Sequence, residues 1–229
     1  MLKYIFTLFS ILHMLNSTSQ TSLTQDLKIT SDINTLRQDI STDASLEMIE
    51  LRKSIPTIEY DLKYATSDNF THVRLYPEGL HFTFMRREAV EALVTINHEL
   101  AKKGISIKVW DAYRPYAVTQ KFWDLIHDER YVANPSKGSG HNRGIAIDLT
   151  LIDVNTGKEL DMPTEFDDFS ERAHHGYMNL SPEKIKNREF LREIMEKNGF
   201  IKFDTEWWHY YLPNGDKYNV LDIPFEKLK

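Results

Sequence analysis

Two short motifs in the C-terminal half of the chain carry side chains that can bind a metal and move protons. The first, SGHNRGIAID, runs from Ser139 to Asp148, and the second, EWWH, runs from Glu206 to His209. Together they provide two imidazoles and two carboxylates. A catalytic zinc site uses three protein ligands and an open position for water, and a fourth polar residue can then act as general base. If these side chains meet in space, the chain has the residues of a zinc hydrolase.

The first motif leads into a segment that alternates like a β-strand, which we predict over 143–151. Alternation separates large apolar side chains from small and polar ones, with Ile145, Ile147, Leu149 and Leu151 on one face and Gly144, Ala146, Asp148 and Thr150 on the other. The small residues leave open volume beside Asp148, in which a metal and a substrate fit. The alternative is an exposed Asp on a solvent face. His141, in the preceding loop, can fold back toward Asp148.

The directions of the two polar side chains in the second motif depend on its secondary structure. Strict strand alternation places Glu206 and His209 on opposite faces, whereas a helix would place them on one face. The β-prone run over 207–211 favours a strand for His209. Glu206 then lies at the entry of the strand, where a turn or bulge must re-aim its side chain. The pattern Glu-x-x-His is common on its own and gains weight here because it follows the first motif and encloses two Trp residues.

Composition excludes several classes of protein. The chain has 229 residues, of which 41% are hydrophobic, as is usual for a globular protein. Its net charge of -6 is spread over interleaved acidic and basic residues without a basic stripe, so we expect no nucleic-acid partner. The chain has no cysteine, which excludes disulfides, thiol catalysis and a Cys-based zinc site. Any metal must therefore be held by His and carboxylate side chains.

The N-terminus has the pattern of a signal peptide, which we predict over residues 1–19. Lys3 precedes a short apolar run, and small residues follow at a plausible cleavage point. The run is too short to span a membrane, so we expect an exported protein without a stable membrane anchor after cleavage. The alternative is a buried N-terminal helix. Residues 20–50 are predicted to be a linker or loosely ordered segment, and the folded domain is predicted over 51–229.

The remaining sequence predicts helices and strands in mixed order. We expect helices over 88–103, 117–127 and from about Ser181 to Asn198, and strands over 105–110, 200–203 and 207–211. The segments lack the regular strand–helix–strand repetition of a doubly wound sheet. The pattern therefore indicates a single domain of the α+β class.

Taken with their surroundings, the motifs resemble the zinc D,D-peptidase family related to Hedgehog domains, and within it the D-alanyl-D-alanine dipeptidases of the vancomycin-resistance type. The resemblance extends from about residue 50 to the end of the chain. It implies a central, mainly antiparallel sheet flanked by helices. The matching blocks occur in the family's order and are 60–71, 110–115, 144–151, 166–167, 171–175 and 206–210.

The resemblance also implies a role for each residue of the catalytic centre. One zinc ion per chain would be held by His141, Asp148 and His209, with water in the fourth position. Glu206 would be the general base that takes a proton from this water and later delivers one to the leaving amine. Arg114 would face the scissile carbonyl and stabilise the oxyanion. Without its surrounding block, Arg114 would be interpreted as a surface ion-pair residue.

The substrate implied by the resemblance is a free D,D-dipeptide, whose two charged ends both need a partner. Asp167 is the candidate for the substrate ammonium, with Tyr64 beside it. Ser139 is the candidate donor to the substrate carboxylate, and Tyr76 is a second candidate for the same role. For the adjacent pair His174 and His175 we expect a structural or supporting role, because three ligands are already assigned.

The sequence leaves three functions open. The first is zinc-dependent hydrolysis of D-Ala-D-Ala to two D-alanines. The second uses the same chemistry as a D,D- or L,D-carboxypeptidase or endopeptidase on peptidoglycan stem peptides. The third is a non-catalytic, Hedgehog-like zinc module that binds cell wall or a protein, against which the presence of both Glu206 and Arg114 counts, since a structural zinc needs neither.

Overall fold

A five-stranded sheet forms the centre of the fold in the computed structural model, which describes residues 27–129 and 131–229. The helices within the described ranges are α1 Ile33–Thr42, α2 Leu51–Ser54, α3 Arg87–Ala101, α4 Tyr116–Ile126, α5 Gly140–Arg143, α6 Pro182–Lys197 and α7 Phe225–Leu228. The strands are β1 Ile29–Thr30, β2 Met48–Glu50, β3 Glu59–Tyr60, β4 Phe84–Arg86, β5 Ile105–Asp111, β6 Ala146–Asp153, β7 Ile201–Phe203, β8 Glu206–Tyr211 and β9 Val220–Leu221.

The order of strands in this sheet is β3-β5-β6-β8-β7, and every pair except β3 with β5 is antiparallel. Two smaller sheets pair β1 with β9 and β2 with β4. Helices α3 and α6 pack against the central sheet, α3 on β5 and α6 on β7 and β8. The prediction of an α+β fold with a central, mainly antiparallel sheet and flanking helices is confirmed.

Strand β6 lies in the middle of the sheet and is buried on both faces up to Ile152. On one face, Ile147, Leu149 and Leu151 join the apolar core. The other face carries Asp148 and Thr150, which are buried as well. A polar residue in the centre of a sheet is costly unless it has partners, so this second face calls for a functional explanation.

The start of β6 differs from its prediction. The strand was expected from residue 143, but it begins at Ala146, and residues Gly140–Arg143 form the short helix α5. Ser139 and Asn142 cap this helix reciprocally, since each side chain accepts a hydrogen bond from the other's backbone N–H. Gly144 ends it with φ of 73°, a conformation that favours glycine. Gly144 is therefore a helix cap rather than a strand residue, and His141 lies on a helix rather than in a loop.

The prediction of a loosely ordered linker over 20–50 is wrong for residues 27–50. Strand β1 pairs in parallel with β9 near the C-terminus, and Asp32 caps the N-terminus of α1 through the backbone N–H of Thr35. Leu36 of α1 is buried in the core. The polar composition that suggested a linker belongs to the exposed side of this helix, which packs on the core through Leu36 and the partly buried Ile33 and Ile40.

The predicted signal peptide over 1–19 lies outside the described residues. Within the described part of the chain, no helix is long and apolar enough to cross a membrane.

Candidate active site

The central contact of the site joins two neighbouring strands. In the antiparallel pair of β6 and β8, Asp148 lies directly opposite His209. Residues opposite each other across a strand pair project from the same face, and Nδ1 of His209 lies 2.8 Å from Oδ1 of Asp148. Sheet register therefore brings together one residue from each motif, 61 positions apart along the chain.

The short helix α5 adds His141 to this pair. Its Nε2 atom lies 3.4 Å from Oδ2 of Asp148 and 3.3 Å from Nδ1 of His209. Its other ring nitrogen, Nδ1, lies 2.7 Å from the carbonyl oxygen of Ala112. A carbonyl only accepts hydrogen bonds, so Nδ1 carries the proton and Nε2 presents a lone pair to the other two residues.

These three side chains fit a zinc ion. Their ligand atoms all lie within 4.8 Å of one another, and two of the separations, 3.3 and 3.4 Å, are close to the roughly 3.3 Å expected between ligands at 2.0–2.1 Å in a tetrahedral zinc site. The carbonyl of Ala112 is the kind of partner that orients a metal-binding imidazole. Although burial favours the neutral acid, His141 and His209 hold the pKa of Asp148 below its ordinary value.

Glu206 reaches the same point because pairing between β7 and β8 is irregular. Lys202 pairs with Tyr210, but the next residue, Phe203, pairs with Glu206. This register shift corresponds to the turn or bulge that was predicted to re-aim the side chain of Glu206 relative to His209. It brings Oε2 of Glu206 to 4.0 Å from Nδ1 of His209. Burial raises the pKa of Glu206 to about 7, with opposing contributions from His209 and Asp148, and a carboxylate of this pKa can both accept and return a proton at neutral pH.

Arg114 lies beside the three predicted metal ligands and is buried rather than on the surface. Its Nη2 atom is 4.0 Å from Oδ2 of Asp148. Two of its N–H groups, on Nε and Nη2, donate to Oδ2 of Asp111 at 2.9 and 2.7 Å. Its guanidinium also stacks on the rings of Tyr64 and Phe122. The side chain is thus fixed on several sides, with its charge next to the ligand cluster.

A cavity of about 490 Å³ opens over this cluster, which is a typical size for a small-molecule site. Asp167 and Tyr64 line it together, and the Tyr64 hydroxyl donates to Oδ2 of Asp167 at 3.1 Å. Burial raises the pKa of Asp167 well above its ordinary value, and the nearby charges of Asp148 and Glu206 raise it further. The cavity is thus rich in carboxylates, which favours cations inside it.

The other two predicted substrate residues differ in position. Ser139 lines the cavity, and its hydroxyl oxygen accepts the N-terminal hydrogen bond of α5, so the hydroxyl proton is available for another acceptor. Tyr76 does not line the cavity. It is buried behind Arg114, where its hydroxyl donates to Oδ1 of Asp111 at 2.7 Å. Its position therefore favours support of Asp111 over contact with a substrate.

Sequence reasoning missed Asp111 and the aromatic wall of the cavity. The wall is formed mainly by Phe70, Phe122, Tyr131, Phe169 and Phe203. The available signal for Asp111 was an acidic residue directly after the apolar pair Val109 and Trp110 at the end of a strand, three positions before Arg114. The wall residues are scattered along the chain, and no local pattern distinguishes them from ordinary core aromatics.

Two imidazoles and a carboxylate around one point, with a glutamate of raised pKa and an arginine beside them, define the zinc metallopeptidase class. The sequence profile of the peptidase M15 family, described as D-ala-D-ala dipeptidase, matches residues 44–226. The chain therefore belongs to this family.

Curated relatives agree with this assignment. The chain is 35% identical to a D-alanyl-D-alanine dipeptidase of Escherichia coli (strain K12) over 179 residues, which covers 78% of this chain and 91% of the relative. It is 36% identical to a D-alanyl-D-alanine dipeptidase of Enterococcus faecium, with 68% and 86% covered. Two solved structures, an LD-carboxypeptidase and a vancomycin-resistance D,D-pentapeptidase, give TM-scores of 0.38 and 0.37 at 22% and 16% identity, a likeness that supports no functional conclusion.

Proposed function

We propose that this protein is a zinc-dependent dipeptidase that hydrolyses D-Ala-D-Ala to two D-alanines. The observation that carries the proposal is the convergence of His141, Asp148 and His209 beside Glu206, in a cavity that also contains Asp167. Membership of a family described as D-ala-D-ala dipeptidase supports the same substrate.

The charges of the cavity match those of a metal ion and a free amine. Among the described residues, the only Lys or Arg within 4.0 Å of the carboxylates of Asp148, Glu206 or Asp167 is Arg114, which is already paired with Asp111. Mutual repulsion among these carboxylates contributes to the raised pKa of Asp167. One zinc ion and one substrate ammonium would relieve it. A structural zinc site has no need of the second and third carboxylates.

The chemistry follows from the positions of the side chains. Bound zinc supplies polarisation of the scissile carbonyl and a lowered pKa for water. Glu206, 4.0 Å from a ligand atom of His209, accepts the proton of the attacking water and returns a proton to the leaving amine. Arg114 places a fixed positive charge where the carbonyl oxygen becomes anionic. Because Arg114 lies beside Asp148, its charge is close to the proposed zinc site.

The two ends of the dipeptide have separate partners in this proposal. Asp167, held by Tyr64, binds the ammonium group. Ser139 donates its hydroxyl proton to the terminal carboxylate. Because Asp167 requires a free amine, a stem peptide whose corresponding nitrogen is an amide lacks the charge that this residue recognises.

The test compares free D-Ala-D-Ala with a peptidoglycan stem pentapeptide ending in D-Ala-D-Ala, using zinc-loaded protein of measured metal content. We expect release of D-alanine from the dipeptide, little from the pentapeptide, and one zinc per chain. Cleavage of the pentapeptide alone would contradict the dipeptidase and favour a carboxypeptidase. Absence of turnover on either substrate by the zinc-loaded protein would favour a binding module.

We also propose that the protein is exported. The support is the order of Lys3, a short apolar run and small residues before position 20. The expected outcome is a mature N-terminus near residue 20 when the full chain is expressed with a secretion pathway, measured by N-terminal sequencing. An intact Met1 on protein recovered from the cytoplasm would contradict export.

A further inference from the structure

A β-bulge in strand β5 sets the direction of the Asp111 side chain. In the pairing of β5 with β6, Val109 lies opposite Leu149, and the next pair is Asp111 opposite Asp148. Two steps along β5 therefore correspond to one step along β6. Without this extra residue, Asp111 would share the apolar face of Val109. The bulge turns its carboxylate to the face that carries the metal ligands, a common use of bulges beside active sites.

The Asp111 carboxylate is completely buried, and both of its oxygen atoms accept hydrogen bonds. Its Oδ2 atom accepts two hydrogen bonds from Arg114, and its Oδ1 atom accepts one from the hydroxyl of Tyr76. A guanidinium has five N–H groups in one plane. Fixing Nε and Nη2 against a single oxygen sets the orientation of that plane and directs the remaining N–H groups elsewhere.

Two buried carboxylates directly opposite each other on neighbouring strands repel each other. Arg114 lies between them, 2.7 Å from Oδ2 of Asp111 and 4.0 Å from Oδ2 of Asp148. The closer contact with Asp111 decides where the guanidinium rests. Without it, the nearest buried anion would be Asp148, and the arginine would be drawn toward a metal ligand and away from the carbonyl of a substrate.

We infer that Asp111 is a positioning residue, which holds Arg114 in the orientation needed to stabilise the oxyanion and keeps it from pairing with Asp148. Tyr76 assists by occupying the second oxygen of Asp111. The inference rests on the proposed function of Arg114. It gives Asp111 an effect on the chemical step, transmitted through Arg114, and none on zinc binding.

The test is a double-mutant cycle of Asp111→Asn and Arg114→Ala, with kcat and KM on D-Ala-D-Ala, zinc per chain and Tm measured for each variant. We expect Asp111→Asn to lower kcat by roughly 10- to 100-fold, the range of a misplaced catalytic group, with KM changed less than about threefold. In the Arg114→Ala background, the same change should alter kcat by less than about twofold, since coupled residues are not additive.

Ser106→Ala is the matched control, because Ser106 is buried on the same strand and bonds to the backbone of Thr57, away from the cavity. It should leave kcat unchanged even where it lowers Tm. If Asp111→Asn does not fold, Tyr76→Phe serves in its place. This variant should lower kcat by about threefold in the wild-type background and not at all beside Arg114→Ala.

Each other outcome overturns the inference in a distinguishable way. If Arg114→Ala lowers kcat but Asp111→Asn does not, Asp111 has no positioning role, and the proposed function remains. An equal loss of kcat in both backgrounds shows that Asp111 does not act through Arg114. Loss of zinc from Asp111→Asn assigns its effect to His141, whose Nδ1 lies 3.8 Å away. Full activity of Arg114→Ala contradicts the mechanism proposed for Arg114 and the inference together.

Discussion

Each face of strand β8 carries or contacts a histidine, and the two histidines differ in their surroundings. On one face His209 lies against Asp148, within reach of His141 and Glu206. On the other face Tyr210, which pairs with Ile147, contacts the ring of His175. Among the described residues, neither ring nitrogen of His175 has a hydrogen-bond partner, and burial lowers its pKa to about 3.

This difference shows what distinguishes a functional site from a polar side chain that is merely buried. The polar groups of the first face converge on one point with complementary charges, and a cation would satisfy several at once. On the second face, His175 remains neutral because charging it in the core costs free energy. The adjacent pair His174 and His175 is conspicuous in the sequence, yet the predicted ligands His141, Asp148 and His209 come from two segments far apart along the chain.

The largest expected effect comes from removing a proposed zinc ligand on the sheet face that carries Asp148 and His209. Asp148→Asn should lower zinc affinity by at least about 100-fold, since losing only a hydrogen-bond partner of a ligand already costs 10- to 100-fold. Activity should disappear with the metal. Metal analysis and a D-alanine release assay measure both. The control is Thr150→Val, an isosteric change on the same face of β6, which should retain both. Full zinc content in Asp148→Asn would remove Asp148 from the ligand set.

Glu206→Gln tests the same face without disturbing the ligands. Zinc content should stay at the wild-type level, because the amide keeps the shape of the side chain and Glu206 is not among the three proposed ligands. We expect kcat to fall by roughly 10²- to 10⁴-fold, the usual contribution of a general base. Single-turnover and steady-state assays on the zinc-loaded variant provide the measurement. A variant with near wild-type kcat would show that another group moves the proton.

Asp167→Asn tests the recognition of the amine. Loss of one charge-assisted hydrogen bond of about 1.5–3 kcal/mol should lower kcat/KM for free D-Ala-D-Ala by roughly 10- to 100-fold. The preference of the enzyme for the free over the N-acetylated dipeptide should shrink in parallel. Asp168→Asn is the neighbouring control, since Asp168 does not line the cavity. Unchanged discrimination between the two substrates would mean that the ammonium binds elsewhere.

The smallest effect on activity is expected from the opposite face. His175→Gln should leave kcat within about twofold, as a distant residue normally does, and should change the pH dependence of stability. The native pKa of about 3 lies below the unfolded value of 6.5, so the unfolded chain binds the proton first and wild-type stability falls as pH drops below about 6.5.

The variant lacks this proton uptake. Relative to wild type, His175→Gln should therefore gain about 2 kcal/mol in free energy of unfolding between pH 7.5 and 5. Urea denaturation at both pH values measures the gain. His98→Gln, at an exposed histidine, is the control and should show none. Equal pH dependence of wild type and His175→Gln would contradict a neutral buried imidazole.

Much of the sheet face that carries Asp148 and His209 could be predicted from the sequence, because the patterns that indicate it are local. Alternation identified the face of Asp148, and the conflict between Glu206 and His209 required a bend, which the structure provides as a register shift between β7 and β8. The start of β6 was predicted too early, because the capping box at Ser139 and Asn142 competes with the strand and favours a helical turn. Residues 27–50 looked like a linker because the polar residues of α1 outnumber the three apolar ones that pack on the core, Ile33, Leu36 and Ile40.

The two motifs with their residue types and spacing, the absence of cysteine and the fold class could all be derived from the amino-acid sequence. How these side chains come together depends on the packing of the folded chain. The register of β6 with β8 sets Asp148 opposite His209, and the bulge at the end of β5 turns Asp111 toward Arg114. The contact of Tyr64 with Asp167 spans 103 positions. The reason is physical: side-chain direction along one strand follows from local geometry, whereas strand register depends on the packing of segments distant in sequence.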